Sequence, residues 1–219
     1  MPSTDSPLVV YTKLSPHNSG PRTRSVDRIT PHCTAASCDI ETLGNWFAMD
    51  STRASSNYGI DRQGRVGLFV PEAYRSWCTS SNANDQRAVT IECSSAHSAP
   101  NAIDPAASSR LIELCVDICQ RHGKTQLLWI SDRTTALAYE QGPEEMLLTV
   151  HRWFSATACP GNWLMERMQQ LADTVTSMLA ESAKIYRVQV GAYRDRSNAE
   201  RRLQQLQAAG IDGFIVEGR

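Results

Sequence analysis

Three side chains that bind metals well lie far apart in this sequence. His151 and Cys159 are eight positions apart, which is too far for one helical turn, so a strand or a folded-back loop would have to join them. His32 lies well upstream and would supply a third ligand. Two imidazoles and a thiolate can form an open zinc site, in which a water molecule takes the fourth position. The spacing alone is a weak signal, and its ordinary interpretation is a surface histidine and a buried cysteine.

Alternating apolar and polar residues predict the strands that would position these side chains. Residues 26–32 predict a strand that ends on the first histidine. Residues 146–150 predict one that leads into the second. Residues 87–93 predict a further strand, which contains Glu92. The first histidine, at the end of a predicted strand, is therefore positioned to complete a site with the other two ligands.

Helices and a hairpin complete the main part of the chain. Residues 57–70 predict a β-hairpin that turns near residue 64. Apolar residues at helical spacing predict helices at 40–47, 104–122 and 163–179. The alternation of strands and helices favours an α/β fold with a central mixed β-sheet flanked by helices. Residues 1–25, rich in Ser, Pro and Thr, are expected to form an extended arm.

The C-terminal residues predict a separate small βαβ unit. A strand is expected at 186–193, and Ser197 would cap a helix that ends at Gly210. A last strand is expected at 214–216. A single βαβ unit of this size buries little apolar surface and is expected to be marginally stable by itself.

Four separated segments, in order along residues 8–178, carry a family resemblance. They are Thr30-Pro-His-Cys-Thr34, Ser56-Asn-Tyr-Gly-Ile-Asp-Arg-Gln-Gly-Arg65, Val89-Thr-Ile-Glu92, and Thr149-Val-His151 with Thr157-Ala-Cys-Pro-Gly161. Together they resemble the type 2 N-acetylmuramoyl-L-alanine amidases, a family that includes phage endolysins and peptidoglycan recognition proteins. The resemblance implies a zinc amidase catalytic domain at 26–180.

The resemblance also implies roles for individual residues. The two histidines and the cysteine introduced above match the family's zinc ligands, so Zn²⁺ is the expected cofactor. Tyr58 matches a tyrosine that lines the active site near the scissile amide, and Glu92 matches a glutamate that many bacterial members use as general base. Thr157 occupies a position where some members have Lys and others Thr, so a hydroxyl would help to hold the oxyanion. The bond cut would join the lactyl group of N-acetylmuramic acid to L-alanine of the stem peptide.

Other cysteines and tryptophans near the expected site admit two interpretations each. The chain has 7 cysteines, and an odd number cannot all pair internally. Cys33 and Cys38 resemble a short disulfide found in recognition proteins of this family, but they are equally compatible with two free thiols. Trp77 and Trp153 are candidates to line a glycopeptide groove, although tryptophan also packs half-buried.

The C-terminal unit at 185–219 resembles half of a SPOR domain over residues 185–217. SPOR domains bind peptidoglycan glycan strands that lack stem peptides, so the resemblance implies a partial peptidoglycan-binding module. Gln189 and Tyr193 are the candidate glycan-facing residues. The alternative is a strand whose polar face is simply solvated. Residues 184–219 carry a formal charge of +3, against −4 for residues 1–183.

Composition limits the remaining function classes. The net charge of −1 argues against nucleic acid as the main partner, and the family resemblance implies peptidoglycan as the partner. No apolar run reaches the roughly 18 residues that a membrane span needs. The N-terminal residues lack the pattern of a signal peptide, so we expect an endolysin held in the host bacterial cytoplasm until lysis. A non-catalytic peptidoglycan-recognition protein is the alternative, and no pattern indicates an oligomeric state.

Overall fold

The computed structural model describes residues 5–182 and 188–217. They fall into two compact units, Met1–Ala183 and Lys184–Arg219, which are described separately. The strands of the first unit are β1 Val9–Thr12, β2 Asn18–Pro21, β3 Arg28–Cys33, β4 Tyr58–Ile60, β5 Val66–Leu68, β6 Tyr74–Ser76, β7 Ala88–Cys93, β8 Gln126–Leu128 and β9 Glu145–Leu148.

Seven strands form one mixed sheet in the order β1-β5-β4-β7-β3-β9-β8. Only β4 and β5 pair antiparallel within it, as the predicted hairpin, while the other neighbours run parallel. β2 and β6 form a separate antiparallel pair. Parallel strands end at a common edge, so the central strands deliver their last residues to one place. The expected α/β fold with a central mixed sheet is confirmed.

Helices cover both faces of this sheet. The α-helices are α1 Ile40–Ala48, α2 Asn82–Asp85, α3 Pro105–Arg121, α4 Arg133–Ala138, α5 Asn162–Met165, α6 Met168–Ser182 and α7 Arg196–Ala208. α3 and α6 pack on each other and on the sheet, while α1 packs against β1, β4 and β5. The helix predicted over residues 163–179 is divided into α5 and α6, and α4 was not predicted.

Two apolar clusters hold these layers together. The larger lies between the sheet and the helices α3 and α6, and the smaller lies between the sheet and α1. Gly59 allows the close approach of α1, because a Cβ there would lie 2.5 Å from a ring carbon of Phe69 and 2.6 Å from Cδ2 of Leu43. Gly59 also pairs with Glu92. The face of the sheet that carries Glu92 is therefore the face covered by α1, not the face covered by α3.

The N-terminal residues belong to the first unit. Residues 1–25 were expected to form an extended arm, but β1 pairs with β5 at the edge of the main sheet. The hydroxyl of Ser15 also donates to Phe47 O at 2.6 Å. Ordering this segment costs conformational entropy, and its Ser-, Pro- and Thr-rich composition predicted that it would stay loose. Strand pairing and these buried contacts offset that cost.

The described residues of the second unit, 188–217, form one helix, α7. Asp195 caps it by accepting a hydrogen bond from Ser197 N at 2.9 Å, so the cap lies two residues before the predicted one. Residues 188–193 and 211–217 form no strand, which corrects the expected βαβ arrangement as far as the described residues extend. Residues 186 and 187 of the first expected strand lie outside the described residues. In the described ranges, no helix has the length and apolar character needed to cross a membrane.

Candidate active site

The sheet brings the three metal-ligand candidates together. His32 lies at the carboxyl end of β3, and His151 opens a 3-10 turn, His151–Trp153, shortly after β9. Cys159 Sγ lies 3.3 Å from His32 Nδ1, and the two imidazole centroids are 5.0 Å apart. One ligand atom from each residue lies within 4.8 Å of the others. This geometry suits a single small cation.

A hydrogen-bonded loop holds Cys159. Its carbonyl accepts hydrogen bonds from Arg152 N at 3.2 Å and Arg152 Nε at 3.3 Å. Its amide donates to Thr157 Oγ1 at 3.2 Å. Gly161 follows with φ +82°, and a Cβ there would lie 2.8 Å from Pro100 O. The loop therefore depends on glycine at this position.

Glu92 lies beside the ligand cluster because of the parallel register of β3 and β7. That register sets Glu92 opposite His32, with Glu92 Oε1 3.8 Å from His32 Nδ1. Burial raises the pKa of the Glu92 carboxyl to about 8. Glu92 Oε2 and His32 Nε2 are buried and lack a hydrogen-bond partner among the described residues. Buried polar atoms are normally satisfied, so a cation beside the Glu92 carboxylate would remove a cost at Oε2.

Burial determines the protonation state of the three ligand candidates. Burial, with the neighbouring His151, holds the pKa of His32 well below its usual value, and burial also lowers the pKa of His151. Both imidazoles are therefore neutral near pH 7, as metal ligation requires. A hydrogen bond with Cys33, together with burial, raises the pKa of Cys159. A cation that takes this thiolate must therefore compete with a proton.

Two further thiols border the cluster: Cys33, which was expected near the site, and Cys78, whose proximity sequence reasoning missed. The hydrogen bond with Cys159 lowers the pKa of Cys33 to about 7. Cys78 forms a second possible ligand group with His32 and Glu92. This second group shares His32 with the first, so it belongs to the same centre. All seven cysteines lie among the described residues, and all are free thiols. For Cys33 and Cys38 this corresponds to the alternative of two free thiols.

Tyr58 does not line the cluster, contrary to the expected role. It pairs with Ile91, one residue before Glu92, so its side chain lies on the opposite face of the sheet. The buried Tyr58 hydroxyl donates to Glu72 Oε2 at 2.7 Å and accepts from Ser6 N at 2.9 Å. Burial and the neighbouring Glu72 carboxylate raise its pKa. The position in a family motif did not reveal which face the side chain would occupy.

The tryptophan candidates have structural partners. Trp153 is 7% exposed and stacks on Trp129 with centroids 5.2 Å apart and planes 6° apart, so it packs and does not line a groove. Trp77 is partly exposed, donates from its indole nitrogen to Ser19 Oγ at 2.8 Å and lies 5.7 Å from the His17 ring. In the second unit, Gln189 and Tyr193 are exposed, with 47% of Tyr193 accessible.

Solved structures show the same fold at low sequence identity. PlyL matches with a TM-score of 0.51 and 15% identity over 82% of this chain and 99% of its own. A mutant endolysin from Bacillus subtilis matches with a TM-score of 0.54 and 14% identity, over 75% and 97% of the two chains. Staphylococcus aureus hydrolase AmiA, solved with its ligand, matches with a TM-score of 0.56 and 15% identity, over 81% and 86%. No curated protein matches the sequence.

Two family models together cover most of the chain. The SPOR domain model matches residues 163–217, so the match begins within α5 and includes α6, earlier than the expected half module at 185–217. α6 packs on α3 and β8 in the first unit. The Amidase_2 model, N-acetylmuramoyl-L-alanine amidase, matches residues 22–162 and includes all three ligand candidates and Glu92. The chain therefore belongs to the N-acetylmuramoyl-L-alanine amidase family and carries a C-terminal SPOR domain.

Proposed function

We propose that this protein is a zinc-dependent peptidoglycan hydrolase. It cleaves the amide between the lactyl group of N-acetylmuramic acid and L-alanine of the stem peptide. The observation that carries the proposal is the convergence of His32, His151 and Cys159, with Glu92 beside them, inside the region that matches the amidase family. Family membership supports peptidoglycan amidase activity, and the cluster supports the metal.

The three ligand candidates fit zinc better than a hard cation. Imidazole and thiolate are soft ligands that suit Zn²⁺, whereas magnesium and calcium prefer oxygen. Three protein ligands leave a position open, which is the arrangement of hydrolytic zinc sites. When bound, zinc supplies a Lewis acid that polarises the amide carbonyl and acidifies water.

Glu92 is the proposed general base. Its carboxylate takes a proton from the attacking water and returns it to the departing L-alanine amine. Its raised pKa suits this exchange, because a carboxyl that titrates near neutral pH both accepts and gives up a proton readily. Its side chain retains 17% exposure, so substrate and water can reach it.

Thr157 is the proposed hydroxyl donor to the oxyanion. Its Oγ1 already accepts from Cys159 N, and this fixes the oxygen while leaving the hydroxyl hydrogen free to donate. A hydrogen bond that strengthens as the carbonyl oxygen gains charge lowers the barrier. A Thr157→Val variant should lose turnover, whereas Thr157→Ser should retain it.

The SPOR domain is proposed to keep the enzyme on the cell wall. Gln189 and Tyr193 are exposed and are the candidate glycan contacts. The positive charge of residues 184–219 also favours an anionic wall, although so few exposed charges act weakly and are screened by salt.

Dye release from purified cell walls separates this proposal from a non-catalytic recognition protein. We expect release that stops with a chelator and returns with added zinc. Mass spectrometry of the products then identifies the bond, since muramoyl-amide cleavage leaves free lactyl ends and free L-alanine amines. Wall binding without release would favour the recognition protein. Other new ends would indicate a different hydrolase.

We further propose an endolysin role, with the protein kept in the bacterial cytoplasm until the membrane opens. The mutant endolysin from Bacillus subtilis has the same fold, which supports the proposal. Expression in bacteria should leave cells intact until the membrane is permeabilised, and lysis should then follow quickly. Lysis without permeabilisation would favour an autolysin that is exported.

A further inference from the structure

Three buried polar side chains form a closed ring of hydrogen bonds beneath the ligand histidines. Thr30 Oγ1 and Thr149 Oγ1 are 2.7 Å apart. The Thr149 hydroxyl donates to Asn84 Oδ1 at 3.1 Å, and Asn84 Nδ2 donates to Thr30 Oγ1 at 3.1 Å. All three residues are 0% exposed. Water therefore cannot replace any of the hydrogen bonds in the ring.

The direction of every bond in the ring is fixed. Arg28 donates to Asn84 Oδ1 at 3.2 Å, and a guanidinium can only donate, so the amide oxygen must face Arg28. Thr149 uses its hydrogen on the same oxygen, so Thr30 must donate to Thr149. Each of the three groups then donates once and accepts once around the ring. Such a closed network stabilises one arrangement of its members more strongly than separate bonds do.

The ring lies where the two ligand-bearing strands stop pairing. β3 and β9 pair at Arg28–Leu147 and Ile29–Leu148, and the last backbone bond between them in the described chain joins Thr149 N to Ile29 O. Beyond it, β3 continues only along β7. Thr30 is two residues before His32 and Thr149 is two residues before His151. The ring therefore links the two strands directly below their ligands.

Hydrogen bonds outside the ring hold the backbone around Asn84 in place. It lies in α2, where its backbone nitrogen donates to the capping Ser81 Oγ at 3.3 Å. The adjacent Asp85 accepts hydrogen bonds from Cys78 N at 3.2 Å and Thr79 N at 3.1 Å. The amide of Asn84 is thus a fixed bridge, not a mobile side chain.

We propose that Asn84, with Thr30 and Thr149, is a positioning unit that sets the separation of His32 and His151 and so controls metal affinity. This inference rests on the proposed zinc site. None of the three residues contacts the reacting atoms. Groups hydrogen-bonded directly to metal ligands typically contribute about 10–100-fold in affinity, and the ring acts on the ligands through the strands that carry them.

The test compares Thr149→Val with Thr149→Ser. Valine keeps the shape but removes the hydroxyl, whereas serine keeps the hydroxyl and restores the ring. Zinc affinity is measured by competition with a chromophoric chelator, and the cobalt-substituted protein reports ligand geometry through its visible absorption bands. Thermal unfolding of the metal-free protein reports stability separately. Asn84→Leu provides a second break in the same ring.

Thr90→Val is the matched control. Thr90 is 0% exposed on the same face of the sheet, and its hydroxyl lies 2.7 Å from Ser76 Oγ. It also donates to Asn57 Oδ1 at 3.2 Å. Strand β7, which carries Thr90, supplies none of the three proposed zinc ligands. This control should lose thermal stability yet keep zinc affinity.

We expect Thr149→Val and Asn84→Leu to weaken zinc affinity about 10–100-fold and to shift the cobalt bands, with Thr149→Ser close to wild type. Wild-type affinity and bands in both ring variants, with lower stability alone, would overturn the inference. A loss of zinc affinity in Thr90→Val equal to that of the ring variants would also overturn the inference. Any buried threonine on this face would then have the same effect. A wild-type protein that binds no zinc would overturn the proposed function instead.

Discussion

Glu92 and Tyr58 lie on neighbouring paired strands but on opposite faces of the sheet. Glu92 pairs with Gly59 and borders the ligand cluster, whereas the Tyr58 hydroxyl is bonded to Glu72 on the α3 side. Successive side chains of a strand point to opposite faces of the sheet. A shift of one residue in the strand pairing therefore decides which face a side chain occupies. The proposed chemistry therefore assigns Glu92 to proton transfer and Tyr58 to stability.

A Glu92→Gln variant should separate catalysis from metal binding. We expect turnover of a soluble muropeptide to fall about 10²–10⁴-fold, because the amide cannot accept the proton, while bound zinc is retained. Glu113→Gln, which changes an exposed carboxylate paired with Arg110, is the control and should keep full turnover. Turnover in Glu92→Gln close to the control value would contradict the assignment.

A Tyr58→Phe variant should lose stability and keep activity. Removing the hydroxyl leaves Glu72 and Ser6 N each without one buried partner, which should lower the free energy of unfolding by about 1–3 kcal/mol. Urea unfolding measures this change, and muropeptide turnover should remain within about twofold of wild type. A large loss of turnover with unchanged unfolding would restore Tyr58 to the active site.

Individual residues differ in how far the sequence could predict them. His32, His151 and Cys159 are chemically distinctive and lie in motifs, so their convergence was predictable. Asn84 and Cys78 carry no local signal, because only the order of strands in the sheet brings them near the ligands. Their positions depend on packing between segments that are distant in sequence.

Among the elements, the buried carboxylate of Glu72 joins three parts of the first unit. It bonds to Tyr58 of β4, to Arg121 at the end of α3 through two 2.8 Å contacts, and to His122 at 2.6 Å. Burial by itself would raise the pKa of Glu72, but the hydrogen bonds from His122 and Arg121 outweigh it and lower that pKa to about 2. The carboxylate is thus charged and fully paired in the folded state.

This pairing predicts a specific loss of stability in acid. Because the folded pKa lies below the usual 4.5, the contribution of Glu72 is fully present above that value. It is lost as the pH falls from about 4.5 towards about 2, by an amount on the order of 3 kcal/mol.

Urea unfolding between pH 6 and pH 2 measures the effect. Glu72→Gln should be less stable at neutral pH and should show a shallower decline in acid. Glu113→Gln, which changes a solvent-exposed carboxylate paired with Arg110, should keep the wild-type decline. A full acid decline in Glu72→Gln would contradict this account of the network.

Element boundaries were predictable where periodicity was strong. α1 and α3 match their predicted positions closely, because each has a regular buried face. The central strand β7 also matches its predicted position, although it is buried on both faces. β1 was missed, since its four residues, Val-Val-Tyr-Thr, are few and do not alternate between apolar and polar in the sequence. The expected strands of the second unit depended on pairing partners that the described residues do not provide.

On the scale of the whole chain, hydrolysis and wall binding are assigned to different units. The amidase match lies wholly in the first unit, while the exposed Gln189 and Tyr193 lie in the second. We therefore expect that wall binding can be weakened by substitutions in the second unit without a loss of amide hydrolysis.

The double variant Gln189→Ala with Tyr193→Ala should weaken binding to intact cell walls about tenfold, since each loses a polar or aromatic contact. Its turnover of a soluble muropeptide should be unchanged. Co-sedimentation with purified walls measures binding, and Gln205→Ala on α7 is the control. Wild-type sedimentation by the double variant would remove these residues from the proposed binding face.

The most direct test of the central claim combines metal content with product identity for wild type, His151→Ala and Cys159→Ala. Elemental analysis should find one zinc per wild-type chain and little in either variant. Only wild type should release fragments with free lactyl ends and free L-alanine amines. Cleavage of that amide by Cys159→Ala at the wild-type rate, without bound zinc, would contradict the account.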